Sequence, residues 1–353
     1  IDDRRYPHPL SGPLYPDGIR IVPEESLPQL IKDENIDHVV FSYSDVSYDF
    51  VEEQRKLVEA AGATFAPFDP DPTMIRGTKP CIAICAVRTG CGKSALSRYV
   101  TKVLKDTGLR VGAIRHPMPY GELEKQIVQR FGSLEDLKTH DCTIEEMEEY
   151  EPHIAAGNVI FAGADYGKIL EAAEAEADVI LWDGGNNDTP FYKPDLLITV
   201  VDPLRPGHEL TYFPGRWNLE NADVVVINKA EEAKPEDIAS VKANIAKYNP
   251  NAVVFEGLSP VEIENADAVK GKRALVIEDG PTTTHGGMGY GAGFVAAERA
   301  GAGEIVDPRA FVTGEIAAAF AKYPHVKAIL PALGYGEQQL ADLKASIDAV
   351  DAD

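Results

Sequence analysis

The sequence predicts an α/β protein built on a doubly wound, mostly parallel β-sheet. Between residues 76 and 260, short apolar runs alternate with segments of helical pattern. The runs, such as "ADVILWD" and "ADVVVINK", show little polar alternation, which is typical of strands covered on both faces. Alternating strands and helices favour parallel pairing through crossover helices. A glycine-rich loop follows the first of these strands, and such an edge of the sheet is where ligands bind.

Residue patterns and a linker rich in proline and glycine divide the chain into three predicted parts. Residues 1–75 form a partial Rossmann-like α/β unit, in which "DFVEEQRKLVEAAG" is a helix closed by Gly62. Residues 76–260 form the central domain, with an acidic insertion near 133–157 that we expect to be helical and largely solvated. Residues 261–353 form a further, incomplete α/β unit. Both ends are expected to be truncated, since the chain starts at Ile1 and stops without a closing strand.

Charge, hydropathy and cysteine spacing each argue against a class of function. A formal net charge of −23 argues against sequence-independent nucleic-acid binding, which needs a basic face. No apolar run approaches the ~18 residues of a membrane span, so we expect a cytoplasmic protein without a membrane partner. The four cysteines lack metal-type spacing and are predicted to be buried free thiols.

The strand "CIAICAV", the loop "RTGCGKS" and the helix "ALSRYVTKVLKDTG" have the order of a P-loop. Backbone N–H groups of such a loop bind phosphate oxygens, Lys93 would reach the β- and γ-phosphates, and the Ser94 hydroxyl would bind Mg²⁺. The alternative is a chance "GKS" in a turn. The predicted nucleotide contacts are Thr89, Gly90, Cys91, Gly92, Lys93, Ser94 and Ala95.

The loop departs from the usual P-loop at its first position, where Val87 replaces glycine. Arg88 follows, and a second basic residue at this place matches a variant class that resembles MinD-type ATPases and their G-protein relatives. In that class the extra cation reaches phosphate, often across a dimer, which implies a homodimer here. The alternative for Arg88 is a surface salt bridge.

A second phosphate-facing element is predicted at "ADVILWDGGNND". Asp183 ends the strand and fits the Walker B role, a carboxylate that orients hydrated Mg²⁺. Gly184 and Gly185 would let the backbone approach the γ-phosphate. The alternative is an ordinary aspartate in a turn.

Two further strand ends carry cations suited to an anionic substrate. "RVGAIRHPMPYG" supplies Arg115 and His116, and "DPLRPGHE" supplies Arg205 and His208 beside Asp202. In this topology both ends lie at the edge that holds the phosphates. His116 has the alternative role of a strand-end histidine without function.

"ADVVVINKAEEA" resembles the guanine-recognition motif N-K-x-D of G proteins. Asn228 and Lys229 match the motif, but Glu231 stands where aspartate is usual. Its longer side chain shifts the geometry of the two hydrogen bonds to guanine, so both ATP and GTP stay open as the nucleotide.

The stretch "EDGPTTTHGGMGYGAGF" lies between a strand and a helix near the end of the chain. We interpret residues 280–293 as an anion- or substrate-binding loop, with His285, Gly286 and Gly287 as candidate contacts. The alternative is a tight connection that needs glycine for its backbone conformation.

Taken together, "FSYSDVS", "CAVRTGCGKS", "RHPMPYG", "LWDGGNND", "DPLRPGHE", "VINKAE" and "EDGPTTTHGGMGYGAG" resemble an archaeal and bacterial family of predicted GTPases. That family is similar to cyclic 2,3-diphosphoglycerate synthetase, and the resemblance covers essentially the whole chain. It implies ATP-driven closure of 2,3-diphosphoglycerate, a small phosphorylated substrate, by phosphoryl transfer. The catalytic candidates are then Lys93, Arg88, Asp183, Arg115 and His116.

Two other functions remain open from the sequence. One is a regulatory or metallochaperone-like GTPase that switches a protein partner, which "NKAE" and the variant P-loop favour. The other is a nucleotide-binding module without turnover, which the presence of Lys93, Ser94 and Asp183 disfavours.

Overall fold

The chain divides between Gly257 and Leu258 into two units in a computed structural model. The structure describes residues 4–116, 122–185, 188–284, 286–334 and 336–353. The predicted boundary near residue 75 lies inside the first unit, and the three-part domain division stays a prediction.

The first unit contains most of the regular structure. Its strands are β1 (Arg5–Tyr6), β2 (Ile19–Arg20), β3 (His38–Phe41), β4 (Val46–Ser47), β5 (Thr64–Pro67), β6 (Cys81–Ala86), β7 (Val111–Arg115), β8 (Gln129–Phe131), β9 (Val159–Ala162), β10 (Val179–Asp183), β11 (Leu196–Val201), β12 (Tyr212–Phe213), β13 (Val224–Ile227) and β14 (Val253–Glu256). Its helices are α1 (His8–Ser11), α2 (Leu27–Asp33), α3 (Tyr48–Ala61), α4 (Lys93–Asp106), α5 (Leu134–Thr139), α6 (Ile144–Ala155), α7 (Tyr166–Glu176), α8 (His208–Thr211), α9 (Gly215–Asn221) and α10 (Pro235–Tyr248).

An eight-stranded sheet in the order β14-β13-β11-β6-β10-β7-β9-β8 organises this unit. Neighbouring strands run parallel except β8, which pairs antiparallel with β9. One core packs α4, α9 and α10 on one face of the sheet, and a second core packs α7 on the other. The predicted doubly wound, mostly parallel α/β fold is therefore confirmed.

The segment before this sheet is a smaller α/β element. Strands β3 and β5 pair in parallel, and α3 lies between them in the chain. The Ser47 hydroxyl accepts a hydrogen bond from the N–H of Phe50 and caps the start of α3. Gly62, with φ of 108°, ends the helix as predicted. β4 pairs with β12, which brings the turn before β4 to the central domain.

The acidic insertion forms α5 and α6, as predicted, but the expectation that it is largely solvated holds for only one of its faces. Leu137, Cys142 and Tyr150 are buried in a third core with Phe131 of β8. Positions Glu146, Tyr150 and His153 are all buried and lie on one side of α6, since residues three and four apart share a helix face. The composition of the insertion is dominated by its exposed acidic residues, so composition alone does not reveal the few positions that are buried.

The second unit has strands β15 (Arg273–Ala274), β16 (Ile277–Asp279), β17 (Glu304–Ile305) and β18 (Leu330–Ala332), and helices α11 (Ala266–Val269), α12 (Gly280–Thr283), α13 (Ala292–Arg299), α14 (Gly314–Lys322) and α15 (Glu337–Ala349). Strands β15 and β17 pair in parallel, and so do β16 and β18.

The glycine-rich stretch of this unit is built on close backbone contacts. A Cβ at Gly286 would collide with the carbonyl oxygen of Thr282, and Gly287 has φ of 73°. Both observations favour the tight-connection interpretation. His285 lies outside the described residues, so the predicted substrate contacts of this stretch stay predictions. Among the described residues no helix has the length and apolarity of a membrane span.

Candidate functional site

The candidate site lies at the carboxyl ends of three adjacent strands. β10 pairs with β6 on one side and with β7 on the other. In this register Asp183, the last residue of β10, is level with Arg115, the last residue of β7. The P-loop follows β6 directly, so topology brings Lys93, Asp183 and Arg115 to one edge.

The P-loop has a conformation that explains its unusual sequence. Gly90 and Gly92 have φ of 79° and 100°, which glycine adopts without strain. A Cβ at Gly92 would also collide with the Asn228 amide. Val87, at the position of the missing glycine, continues from β6 and is buried in the core. The loop therefore needs its glycines only after Arg88.

Lys93 forms a buried ion pair with Asp183. Its Nζ lies 2.6 Å from Asp183 Oδ1, and the side chains are 7% and 0% exposed. The Ser97 hydroxyl, one turn further along α4, donates to the same oxygen at 2.8 Å. A phosphate bound by the loop would compete with Asp183 for this ammonium group.

Arg115 and His153 hold the other oxygen of Asp183. Arg115 Nη1 donates to Oδ2 at 2.9 Å, and His153 Nε2 lies 2.9 Å from the same atom. Arg115 also pairs with Glu149. Burial alone would raise the pKa of Asp183, but Arg115, Lys93 and His153 hold it well below its usual range. Asp183 is thus an ionised carboxylate whose two oxygens are both held by hydrogen bonds.

The donor set fits a magnesium ion that arrives with a nucleotide. Within the described ranges, no three His, Cys, Asp or Glu side chains form a metal cage. Mg²⁺ at phosphate sites typically uses one or two protein groups plus phosphate and water. Ser94, in the first turn of α4, and Asp183 carry the oxygen donors that such a site uses. Asp183 already accepts four hydrogen bonds, so only the position that Lys93 now takes suits a metal-bound water.

Arg88 is buried inside the first unit and does not form a surface salt bridge. Its Nε lies 2.5 Å from Asp45 Oδ1, and its guanidinium carbon lies 3.5 Å from the centre of the Tyr212 ring. Thr89 donates from Oγ1 to Asp45 Oδ2 at 2.5 Å. His208 Nδ1 lies 2.9 Å from Arg88 Nη1. These intrachain contacts give the predicted action across a homodimer no support, and the homodimer stays a prediction.

We expect Asp45→Asn to destabilise the first unit. The substitution removes the carboxylate charge that pairs with the 2% exposed Arg88, and the free energy of unfolding should fall by about 2–3 kcal/mol. Urea unfolding followed by circular dichroism measures this change. Glu59→Gln, on the exposed side of α3, is the matched control. A loss below about 0.5 kcal/mol for Asp45→Asn would contradict the pairing.

His208 gives the first unit a pH-dependent stability. Burial and the charges of Arg88 and Arg205 lower the pKa of His208 from 6.5 to about 4. Between these values the unfolded chain binds a proton that the folded chain does not, so stability should fall as pH drops from about 6.5 to 4. Solvent reaches part of the ring, which limits the effect to about 1–2 kcal/mol.

His208→Gln keeps a hydrogen-bond acceptor for Arg88 but cannot titrate. The fall in unfolding free energy between pH 7 and pH 4.5 should therefore be smaller in His208→Gln than in the unmodified chain. His8→Gln, at an exposed imidazole, is the matched control. Equal pH dependence in His208→Gln and the unmodified chain would refute the assignment.

Asn228 and Lys229 contact the P-loop backbone. Asn228 Nδ2 donates to the carbonyl of Cys91 at 2.8 Å, and Lys229 Nζ donates to that of Gly90 at 2.6 Å. Asp202 accepts from Lys229 at 3.1 Å and from Arg205 at 2.9 Å. These two side chains of the predicted base-recognition motif are thus hydrogen-bonded to carbonyl groups of the P-loop in this structure. Glu231 is exposed two residues further on.

His116 lies apart from the buried cluster. Its side chain is 38% exposed, and its Nε2 is 3.9 Å from Asp188 Oδ2. Asp188 accepts from the N–H of Gly185 at 2.9 Å, which fixes the start of the loop after β10. A Cβ at Gly184 would lie 2.7 Å from the indole nitrogen of Trp182, so this glycine is required by packing.

A cavity of about 570 Å³ lies at the other end of the strands and not beside this chemistry. It is lined by Lys105, Arg110 and Asn158 together with the starts of β7 and β9. Lys105 and Arg110 are both hydrogen-bonded to neighbouring groups. We therefore place the candidate site at the P-loop.

Several side chains at the site are absent from the sequence predictions, among them Asp45, Ser97, Glu149 and His153. Glu149 and His153 are four residues apart and so share a side of α6, a spacing that is visible in the sequence. Asp45 lies in the quoted "FSYSDVS" segment, but its partner Arg88 is 43 residues away. No local pattern connects these two residues.

Comparisons with known proteins extend these observations. No family model matches the chain. Over 353 residues it is 55% identical to the arginine synthetase ArcE of Thermococcus kodakarensis, a match to 100% of this chain and 79% of that protein. It is 24% identical over 244 residues to a cyclic 2,3-diphosphoglycerate synthetase of Thermococcus sibiricus, a match to 64% of this chain and 55% of that enzyme.

Among solved structures, LpxK from Aquifex aeolicus in complex with ATP matches 65% of this chain and 86% of its own, with 16% identity and a TM-score of 0.36. That score is too low to support a functional statement, and the P-loop fold is assigned from the strand order and the loop. The full-length similarity to a synthetase confirms the prediction of a nucleoside-triphosphate-dependent enzyme. The resemblance to cyclic 2,3-diphosphoglycerate synthetase covers less of the chain than predicted.

Proposed function

The chain belongs to the family of the arginine synthetase ArcE, and from this membership we propose that it is an NTP-dependent synthetase that forms arginine. The identity to ArcE over the whole chain is the observation that carries the proposal. The P-loop with Lys93 beside Asp183 supplies the energy-coupling half of such an enzyme.

The chemistry of the product defines the class of acceptor. The central carbon of a guanidinium group is bonded to three nitrogens, so a synthetase completes it by replacing an oxygen with nitrogen. In our proposal the oxygen of a ureido group attacks the γ-phosphorus, and the bond from that phosphorus to the β-bridging oxygen breaks. An amine, ammonia in the simplest case, then adds to the carbon, phosphate leaves, and the nitrogen loses its excess protons.

The residues at the sheet edge have distinct roles in this scheme. Lys93 binds the β- and γ-phosphates and offsets charge on the transferring group. Asp183 stays ionised and holds Arg115 in place at 2.9 Å. Mg²⁺, held by Ser94 and through water by Asp183, would supply further charge neutralisation when bound.

Charge at the site favours this acceptor over a doubly phosphorylated one. A substrate with two phosphates needs an excess of cations. Of the cations predicted to bind it, Arg115 is paired with Asp183 and Glu149, and Arg205 is paired with Asp202. Arg88, the cation predicted to reach the nucleotide phosphates, is paired with Asp45. A neutral ureido group does not require such an excess.

Cyclic 2,3-diphosphoglycerate synthesis is the second candidate, because an enzyme of that name matches part of this chain. On that reading Arg115, His116, Arg205 and His208 bind the substrate phosphates. A GTPase that switches a partner protein is a third possibility, which strong GTP hydrolysis without any substrate effect would favour.

One set of incubations separates these functions. The protein is incubated with Mg-ATP or Mg-GTP and either citrulline with ammonium or 2,3-diphosphoglycerate, and products are followed by mass spectrometry and ³¹P NMR. We expect arginine and phosphate in equal amounts, with no cyclic product. Cyclic diphosphoglycerate without arginine would overturn the proposal in favour of the second candidate.

A further inference from the structure

The acidic insertion delivers a histidine to the centre of the site. His153 is 1% exposed on the inner face of α6, and its Nε2 lies 2.9 Å from Asp183 Oδ2. Asp183 itself is 0% exposed. The imidazole therefore lies behind the carboxylate, away from solvent, and touches no position where a nucleotide would lie in our proposal.

A chain of hydrogen bonds fixes the tautomer of this ring. Lys105 Nζ donates to Asn158 Oδ1 at 3.2 Å, which orients the amide so that its Nδ2 faces the histidine. Asn158 Nδ2 lies 3.3 Å from His153 Nδ1. Because an amide nitrogen only donates, Nδ1 must accept, and the ring hydrogen of neutral His153 is on Nε2. His153 therefore donates to Asp183.

Lys105, the first residue of this series of hydrogen bonds, has two further acceptors. Lys105 also donates to the carbonyls of Ala156 and Gly157, at 2.8 and 2.9 Å, and so caps the carboxyl end of α6. Lys105 belongs to α4, the helix that starts at the P-loop. Helix α4 thus acts on both oxygens of Asp183. Lys93 contacts Oδ1 directly, and Lys105, through Asn158, orients His153, which donates to Oδ2.

We propose that His153 is a positioning residue for Asp183. When Lys93 turns to phosphate, Asp183 Oδ1 keeps Ser97, and Oδ2 keeps Arg115 and His153. The fixed N–H of His153 then keeps the carboxylate from rotating after its strongest partner on the P-loop side has left. This inference rests on the proposed role of Asp183 in nucleotide turnover and not on the identity of the acceptor.

The test compares His153→Leu, which has no donor, with His153→Gln, which has an amide N–H. Loss of an outer-shell group that orients a metal-binding side chain typically costs 10- to 100-fold in metal affinity or activity. We expect His153→Leu to lower kcat for nucleotide turnover about 10- to 100-fold while the KM for nucleotide changes less than about threefold. His153→Gln should recover kcat to within about fivefold of the unmodified enzyme. His140→Gln, in the same insertion but against Phe131, is the control and should change kcat less than about twofold.

Asn158→Leu tests the tautomer argument, since it changes no atom that touches Asp183. We expect kcat to fall about three- to tenfold, with nucleotide affinity retained. All variants are assayed at least 10 °C below their unfolding midpoints, and binding of a fluorescent nucleotide shows that each is folded.

Two results would overturn the proposal: equal losses in His153→Leu and His153→Gln that follow their thermal stability, or unchanged kcat in both. Nucleotide turnover is measured separately from arginine formation. If the unmodified enzyme turns over nucleotide but forms no arginine, the proposed function fails while the His153 variants still report on the positioning role.

Discussion

Lys93→Met is expected to lower nucleotide turnover by at least about 100-fold, the usual cost of removing one preorganised donor to a reacting group. Methionine keeps most of the length of the side chain and removes the charge that would face the β- and γ-phosphates. Nucleotide affinity should also fall, because the charge is used in binding as well as in the transition state. A coupled phosphate-release assay and fluorescent-nucleotide titration measure the two effects.

The fold should survive this change. Asp183 keeps Arg115 and His153 on its other oxygen, so the buried carboxylate is not left without a counterion. Lys102→Met is the matched control, since Lys102 lies on the same helix and is exposed beside Asp106. Turnover of Lys93→Met within about threefold of the unmodified enzyme would refute the assignment of the P-loop lysine.

Much of the first unit is predictable because its signals are local. The runs that become β6, β10, β11 and β13 are apolar except for Asp183 at the end of β10 and Thr199 in β11, which is typical of strands covered on both faces. The loop after β6 is recognisable in the sequence because glycine occupies the two positions that have positive φ. Given parallel strands, the meeting of Lys93 and Asp183 follows from topology alone.

The partners of the buried cations are not predictable in this way. Arg88 is in the P-loop, and the sequence suggests phosphate or solvent as its neighbour, yet the pairing of β4 with β12 brings Asp45 to it. Which carboxylate meets a given arginine depends on contacts between segments far apart in the chain. The net charge of −23 carries no information on this point, because few of the charged side chains in the described part of the chain are buried.

The insertion shows a different limit. Its composition is dominated by the residues that face water, and these give the correct expectation of helices. The buried face of α6 carries only a few residues, Glu146, Tyr150 and His153. Their spacing of four and three residues indicates that they share one face of the helix. Reading each helix face separately predicts a buried histidine here, although not that Asp183 is its partner.

Asp183→Asn should separate binding from turnover. In the unmodified chain Lys93 Nζ lies 2.6 Å from Asp183 Oδ1, so Asp183 and phosphate compete for the same ammonium group. The neutral amide weakens this competition. We expect affinity for nucleotide without Mg²⁺ to rise by about threefold to tenfold, a gain of about 1 kcal/mol.

Turnover should change in the opposite direction. The amide presents one acceptor oxygen to four donors, and it cannot orient a metal-bound water as a carboxylate does. We expect kcat to fall at least about 100-fold. The free energy of unfolding should fall by about 3–5 kcal/mol, because Lys93 stays buried without its carboxylate partner and Arg115 keeps only Glu149.

The matched control is Asp178→Asn, just before the start of β10, where the carboxylate pairs with Arg110 at the surface. That variant should bind and turn over nucleotide like the unmodified enzyme. Nucleotide titration in EDTA, steady-state turnover with Mg²⁺ and urea unfolding give the three readouts. If Asp183→Asn bound nucleotide more weakly without Mg²⁺, Asp183 and phosphate would not be competing for Lys93. Together with the loss of affinity in Lys93→Met, a gain in Asp183→Asn would mean that nucleotide binding exchanges one buried ion pair for another.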